Sequence, residues 1–486
     1  MSAIPSVEQV VQRGAVAGLV GGLTFGAIMN ELGLLESIAL AFRAESDFFG
    51  FFAHLVVAVV IGAGFGLVMR SQRPAVGETL HWGLVYGAAW WFIGPVTLLP
   101  LLSGDPIAWD VEAARELVPA LLGHLLYGLV TAMVYVPLAR GGVTIHRGSV
   151  VRGLVGGLGG AVLIGLALDG RDVVPAVSAS MSDRSALLAW LTTLAVGAVV
   201  GLTYGLINGG PNRGLGPSLI RGMVHGFAWW IVAALTVIPL AVGDGLPWSV
   251  EQVRAEFDTF PGYLLFFGAA VALIHHGLGR LNGALLSDDL SSRADEGLGT
   301  QGLRATGRGV VAGVVGGLAF TVVMIQIGFL STVANLVGGD SSTIGFITHL
   351  VIASLIGVIY GFAFIRRSND AGSAVGWGVS YGVLWWLLGP LTLLPILLGD
   401  RPTWSVAAAT DAYPALIGHV IYGALLGLAF FRLEARHSPW WVSRSEAEAV
   451  RTRNATEQIL SSAPGVWALV VLIALTMPVL LGGTAG

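Results

Sequence analysis

Two pairs of histidines are the residues whose type and spacing could do chemistry. His54 and His124 recur as His349 and His419 at a constant offset of 295. All four fall inside apolar runs, where ionisable side chains are costly and mark a functional site by default. Their depths agree: His54 lies about five residues and His124 about seven residues past the outer start of its run, roughly 7–10 Å at 1.5 Å per residue. Equal depth is what two ligands of one centre require. Neighbouring helix axes about 8–10 Å apart put a bundle diagonal at roughly 11–14 Å, a gap suited to a flat macrocycle with an imidazole on each side. Axial imidazole is established haem chemistry, so the pairs predict haem b and a redox-linked role with a redox partner. Met29, repeated as Met324, falls in the same half of another run, and histidine with a thioether would instead favour copper.

Two other readings compete. Membrane histidines also bridge helices by hydrogen bonding, here through Tyr86 or Tyr127. A transporter or channel without a cofactor would use polar groups along a pathway, and Glu31 and Gln326 are the best candidates for it. A structural subunit of a larger membrane complex is a further alternative. No nucleophile, hydrolase triad, kinase signature or dinucleotide fingerprint stands in a credible context, so the catalytic residues are unassigned. The glycine pairs lie inside apolar runs and lack the strand–loop–helix setting of a phosphate loop.

The elements that position these residues follow from composition and repetition. The 486 residues are 55% hydrophobic and 11% charged, with mean hydropathy +0.79; soluble domains carry about 25% charged residues. So little charge cannot cover a water-facing surface, and lipid must be the solvent over most of it. There is no cysteine, which excludes disulfides and thiolate metal sites. A net charge of −4 argues against nucleic acid as a partner.

Residues 81–105 and 376–400 match at 15 of 25 positions, and a middle copy follows at an offset of 139 through Asp244 and Trp248, then slips by about three residues. The units span 13–140, 152–281 (divergent) and 308–433. Each holds four runs long enough to cross a bilayer, which takes about 20 residues; in the first they are A (13–35), B (49–70), C (80–102) and D (117–139). A polar cytoplasmic linker, 434–463, with a surface helix around Ser445–Leu460, precedes a C-terminal transmembrane helix at 465–482. The expected fold is therefore all-α and polytopic, with 13 spans. An even number of crossings per unit makes the repeats parallel and pseudo-threefold, unlike inverted transporter repeats. Of 25 arginines, 19 fall on the side of the N-terminus. The positive-inside rule then puts the N-terminus of this multi-pass protein in the cytoplasm and its C-terminus outside.

Within the units, Gly14, Gly18, Gly22 and Gly26 form a small-residue ladder for close helix packing. Run C carries Trp90-Trp91 and its copies, then Pro95 and Pro390, which should kink it; the middle unit has Ala234 there. The C–D loops repeat an aspartate and a tryptophan: Asp105 and Trp109, Asp244 and Trp248, Asp400 and Trp404. These tryptophans read as residues of the lipid–water boundary. The middle unit replaces the site residues together, with Leu168 for the methionine, Thr193 for the first histidine and, allowing for the slip, Phe266 for the second. His225 is unshared, and His275 and His276 are expected at headgroups.

The glycine-rich A, histidine-bearing B, Tyr-Gly-x-x-Trp-Trp of C and Gly-His-x-x-Tyr-Gly of D (Gly123–Gly128, Gly418–Gly423) resemble small four-helix prokaryotic inner-membrane proteins of the YagU-like kind. That resemblance implies one such unit per repeat and supplies no reaction. In architecture alone the twelve-helix, three-arc plan is similar to haem–copper oxidase large subunits, whose second and tenth helices bear haem ligands, as His54 and His349 would here.

Overall fold

The computed structural model describes residues 5–70, 76–107, 109–140, 145–167, 186–209, 214–246, 248–286, 298–365, 368, 370–435, 467 and 475–481. Among them there is no strand, and 12 helices are long and apolar enough to cross a membrane: α1 (Val7–Glu31), α2 (Asp47–Met69), α3 (Val76–Ser103), α4 (Val118–Ala139), α5 (Arg147–Ala167), α6 (Trp190–Ile207), α7 (Leu215–Ala241), α8 (Val250–Arg280), α9 (Gly302–Gln326), α10 (Ser342–Phe364), α11 (Ala371–Leu397) and α12 (Tyr413–Ala435). The expected linker helix, Leu168 and most of the expected thirteenth span lie outside the described residues.

Helix pairing follows the small residues. α1 packs along α2 and α4, and α3 along α4; α5 pairs in the same way with α6 and α8, and α9 with α10 and α12. A methyl on Gly18 would stand 2.5 Å from Ala58 O and 2.6 Å from Gly62 Cα. Only a residue without Cβ lets α1 and α2 approach so closely, and close approach is what associates helices where lipid removes the hydrophobic drive. The ladder thus packs α1 on α2, as its spacing predicts.

α3, α7 and α11 each contain a π-helical turn, at Gly94–Leu98, Trp230–Val237 and Gly389–Leu393. Proline was expected to bend only the first and last. The turn occurs in α7 as well, around Ala234, so proline is not its sole cause. A threonine hydroxyl accompanies each turn: Thr97, Thr236 and Thr392 donate to Phe92 O, Ile231 O and Leu387 O at 2.8, 2.8 and 2.7 Å. Each reaches the carbonyl five residues back, which is the π spacing. The helices then end on Gly104, Gly243 and Gly399, at φ of 82°, 90° and 94°. In this left-handed cap the next amide, of Asp105, Asp244 or Asp400, donates to Pro100 O, Pro239 O or Pro395 O at 2.9, 2.9 and 2.8 Å. The aspartates therefore close the helix through their backbone, while their side chains are exposed.

The loop tryptophans differ from expectation. Trp248 and Trp404 are 1% and 5% exposed, whereas Trp109 is 66% exposed. The indole of Trp404 donates to Thr392 Oγ1 at 3.0 Å and that of Trp248 to Leu235 O at 2.9 Å. All three indoles pin the loop onto the π turn, that of Trp109 by donating to Thr97 Oγ1 at 3.3 Å; the rings of Trp248 and Trp404 are buried there, where an indole N–H needs an acceptor.

The middle unit keeps register further than its sequence suggests. Gly87, Gly226 and Gly382 lie against the carbonyls of His124, Tyr263 and His419, and Gly21, Gly160 and Gly316 against those of Tyr127, Phe266 and Tyr422. Tyr263, not Phe266, thus takes the place of the second histidine, and Phe266 takes that of Tyr127. The expected three-residue slip reduces, over these contacts, to one residue inside a further π segment, Leu265–Ala270: Gly222 meets Gly268 O where Gly83 meets Gly128 O.

Candidate functional site

His54 comes from α2 and His124 from α4, the two helices that flank α1. His54 Nε2 donates to Gly22 O at 3.1 Å, and His349 Nε2 to Gly317 O at 3.1 Å. His124 Nδ1 donates to Ala120 O at 2.7 Å, and His419 Nδ1 to Ala415 O at 2.7 Å. A carbonyl can only accept, so each contact fixes the proton on the ring nitrogen that makes it. The imidazoles are bonded to backbone and not to Tyr86 or Tyr127, the expected bridging partners. Those tyrosines reach α2 instead, donating to Ile61 O and Ala58 O at 2.7 Å each.

The space the two imidazoles share contains an aromatic ring. Phe25 of α1 meets His54 edge-on with centroids 5.4 Å apart and His124 with centroids 5.1 Å apart. Phe320 does the same for His349 at 5.3 Å and His419 at 4.6 Å. The glycine of the Gly-His motif makes this possible, since a methyl on Gly123 or Gly418 would overlap the Phe25 or Phe320 ring. Two facing imidazoles across a haem do not match this geometry. The phenylalanines recur at the offset of 295, so their periodicity was available in the sequence, but an apolar residue in an apolar run carries no mark of being wedged between ligands.

Beside each pair lies a cavity. One, of ≈ 280 Å³, is lined by Phe25, Met29, His54, Trp90, Gly94, Pro95, His124 and Tyr127 among others; its counterpart, of ≈ 220 Å³, is lined by Phe320, Met324, His349, Trp385, Gly389, Pro390, His419 and Tyr422. The structure thus brings each methionine–histidine–histidine set to one cavity. Val57 and Leu102, 41% and 62% exposed, also line the first, and Leu397, 69% exposed, lines the second, so both open toward the apolar outer surface. Ligand pockets usually run about 300–1,000 Å³, which makes these sites for a small molecule or part of a larger one.

The chemistry on offer is that of an acceptor. With Nδ1 protonated, Nε2 of His124 and of His419 carries a lone pair. It faces the start of the π turn, where a Cβ built on Gly94 or Gly389 would be 4.0 or 3.8 Å away. Pro95 and Pro390 line the same cavities and have no N–H to donate. π turns often occur at functional sites. Glu31 and Gln326 are exposed and line neither cavity. Among the described residues, no group of three or more histidine, aspartate or glutamate side chains is arranged to hold a metal ion.

A second polar cluster escaped the sequence reading. Glu78 of α3 and Arg221 of α7 form an ion pair at 2.6 Å, with side chains 3% and 6% exposed. His81 is 3% exposed, and among the described residues its Nδ1 has no hydrogen-bond partner. His225 Nε2 donates to Val200 O at 3.0 Å. His275 and His276, expected at headgroups, are packed inside, against Ser149 Oγ at 2.9 Å and Ser218 Oγ at 3.3 Å. Arg221, one of the 19 arginines counted on the side of the N-terminus, is a buried charge. The signal was an acid and a base each unmatched in the other units: Pro217 and Ser373 stand for Glu78, and Trp82 and Trp377 for Arg221.

Compared with known proteins, the chain matches no family model, no curated protein and no solved structure.

Proposed function

We propose that the chain is a multi-pass protein of a prokaryotic plasma membrane that takes small apolar ligands from the bilayer into two equivalent pockets. Its three units stand side by side in the same sense around a pseudo-threefold axis. The arginine bias then puts the N-terminus in the cytoplasm and both pockets in the outer half of the membrane. The ligand carries one hydrogen-bond donor, which His124 or His419 accepts at Nε2. A hydroquinone or a hydroxyl-bearing lipid has this chemistry, and a hydroquinone would link the pocket to redox reactions. The middle unit is a structural member with Tyr263 and Phe266 at the corresponding positions.

The observation that carries this reading is the tautomer set by the Ala120 and Ala415 carbonyls. It leaves an unprotonated nitrogen beside an apolar cavity that opens to lipid. A second reading keeps the metal: one imidazole with the Met29 or Met324 thioether on the same cavity would suit copper, or haem held from one side only.

Native mass spectrometry of the protein in lipid nanodiscs, with metal analysis and an absorption spectrum, tests both. A co-purifying hydroxylated amphiphile that is lost in H124A/H419A supports the first reading. Haem bands or stoichiometric copper lost in the same variant support the second. An empty, colourless protein that takes up neither kind of ligand refutes both.

A further inference from the structure

Three residues at one position of the three units converge on the end of the chain. Arg115, Arg254 and Thr410 are related by the offsets 139 and 295 and lie on the short helices Val111–Glu116, Val250–Ala255 and Val406–Asp411. Arg115 Nη1 donates to Pro478 O at 3.2 Å, Arg254 Nη1 donates to Val479 O, and Thr410 Oγ1 donates to Leu480 O at 3.1 Å. Residues 475–480 are helical. Successive carbonyls of an α-helix are rotated by about 100° around its axis, at 3.6 residues per turn. Three donors on three successive carbonyls therefore approach from all round, close to the spacing that three units about one axis would give. These carbonyls belong to the last turn of the described helix, its C-terminal end, where carbonyls lie at the negative end of the helix dipole.

The segment is also deeply enclosed. Leu475, Val479 and Leu480 are 0%, 0% and 2% exposed, and Thr476 is 1% exposed. Further back, Trp467 is 1% exposed and meets Phe227 edge-on with centroids 5.3 Å apart. Phe227 lies near the middle of α7.

We propose that the turn at residues 475–480 is a plug that seals the outer end of a passage along the axis between the three units, with Arg115, Arg254 and Thr410 as its latch. The proposal rests on the threefold arrangement proposed above and is independent of the histidine pockets. It gives the middle unit a role that its lack of a histidine pocket does not remove, since that unit supplies one of the two latch arginines.

The test compares potassium release from loaded liposomes holding the full chain, R115A/R254A/T410A, or a chain ending at residue 463. The full chain should be as tight as protein-free liposomes. The latch variant should leak about tenfold faster or more, the change in an equilibrium that losing one charge-assisted hydrogen bond brings, and the shortened chain faster still. A shortened chain that is monodisperse, fully helical by circular dichroism and as tight as the full chain overturns the proposal. Should shortening prevent folding, the absence of native cysteine permits L475C labelling by a membrane-impermeant maleimide. Labelling should be slow in the full chain and about tenfold faster or more in the latch variant; equal rates overturn the plug. Disulfide formation in R115C/P478C and R254C/V479C tests the arrangement separately. Crosslinks with unchanged flux leave the threefold arrangement standing and remove the plug, whereas no crosslink in either pair removes both.

Discussion

The buried pair Glu78–Arg221 gives the most quantitative prediction. Its charged atoms are 2.6 Å apart, and both side chains are nearly inaccessible. At an effective dielectric of about 20 the Coulomb attraction at that distance is about 6 kcal/mol, and desolvation of the two ions offsets much of it. Removing one partner strands the other charge. Glu78→Leu or Arg221→Met alone should therefore destabilise the protein by about 3–5 kcal/mol. Replacing both with apolar side chains of similar size removes the stranded charge, and the double variant should lie within about 1 kcal/mol of wild type or above it. Reversible unfolding in mixed micelles by increasing sodium dodecyl sulfate, monitored by circular dichroism, gives the four free energies of the cycle. Single losses that add to the double loss within about 0.5 kcal/mol would mean the two residues act independently, and the pairing between α3 and α7 would not be what holds these charges in the membrane.

Other substitutions probe the packing. Gly18→Val places a side chain against the backbone of α2 and should cost about 1–3 kcal/mol or more in the same unfolding assay. Gly277→Ala is its control: among the described residues no atom beyond its own stretch of helix lies within 4 Å of the added methyl, so the variant should gain up to about 1 kcal/mol from helix propensity. Thr236→Val removes the hydroxyl bonded to Ile231 O at 2.8 Å and should cost about 0.6–1.7 kcal/mol, the range for polar contacts inside membrane proteins; no change would mean the hydroxyl does not support the π turn of α7.

The spans were legible because bilayer thickness imposes their length: in the first unit α2, α3 and α4 begin and end within four residues of runs B, C and D, while α1 begins six residues before run A. Glycine spacing likewise marked the face of α1 on which another helix packs closely, though not that the partner is α2. The π turns were half legible: Pro95 and Pro390 marked two, but the third has Ala234 in that place and a threonine–carbonyl bond that no spacing rule flags. The site was legible in membership and not in geometry. Residue type and repeat identified Met29, His54 and His124 as neighbours of one cavity. The direction of each imidazole, and the Phe25 ring inserted between them, depend on rotamers and on which carbonyl lies nearest. Charge counting did not reveal the burial of Arg221, because a tally by side says nothing of whether an arginine faces water or a carboxylate.

The free nitrogen of His124 and His419 is the feature from which the functional account proceeds, and binding of a matched pair of ligands tests it most directly. A short-chain hydroquinone and its dimethyl ether share one ring and differ in two hydrogen-bond donors replaced by methyl ethers, and their affinities for the protein in nanodiscs can be read from quenching of tryptophan fluorescence, Trp90 and Trp385 lining the two cavities. The account predicts that the hydroquinone binds about 10–100-fold more tightly, the value of one buried hydrogen bond left unmade, and that H124A/H419A abolishes the difference. Equal affinities for the two compounds, or a preference that survives in the double variant, would contradict it.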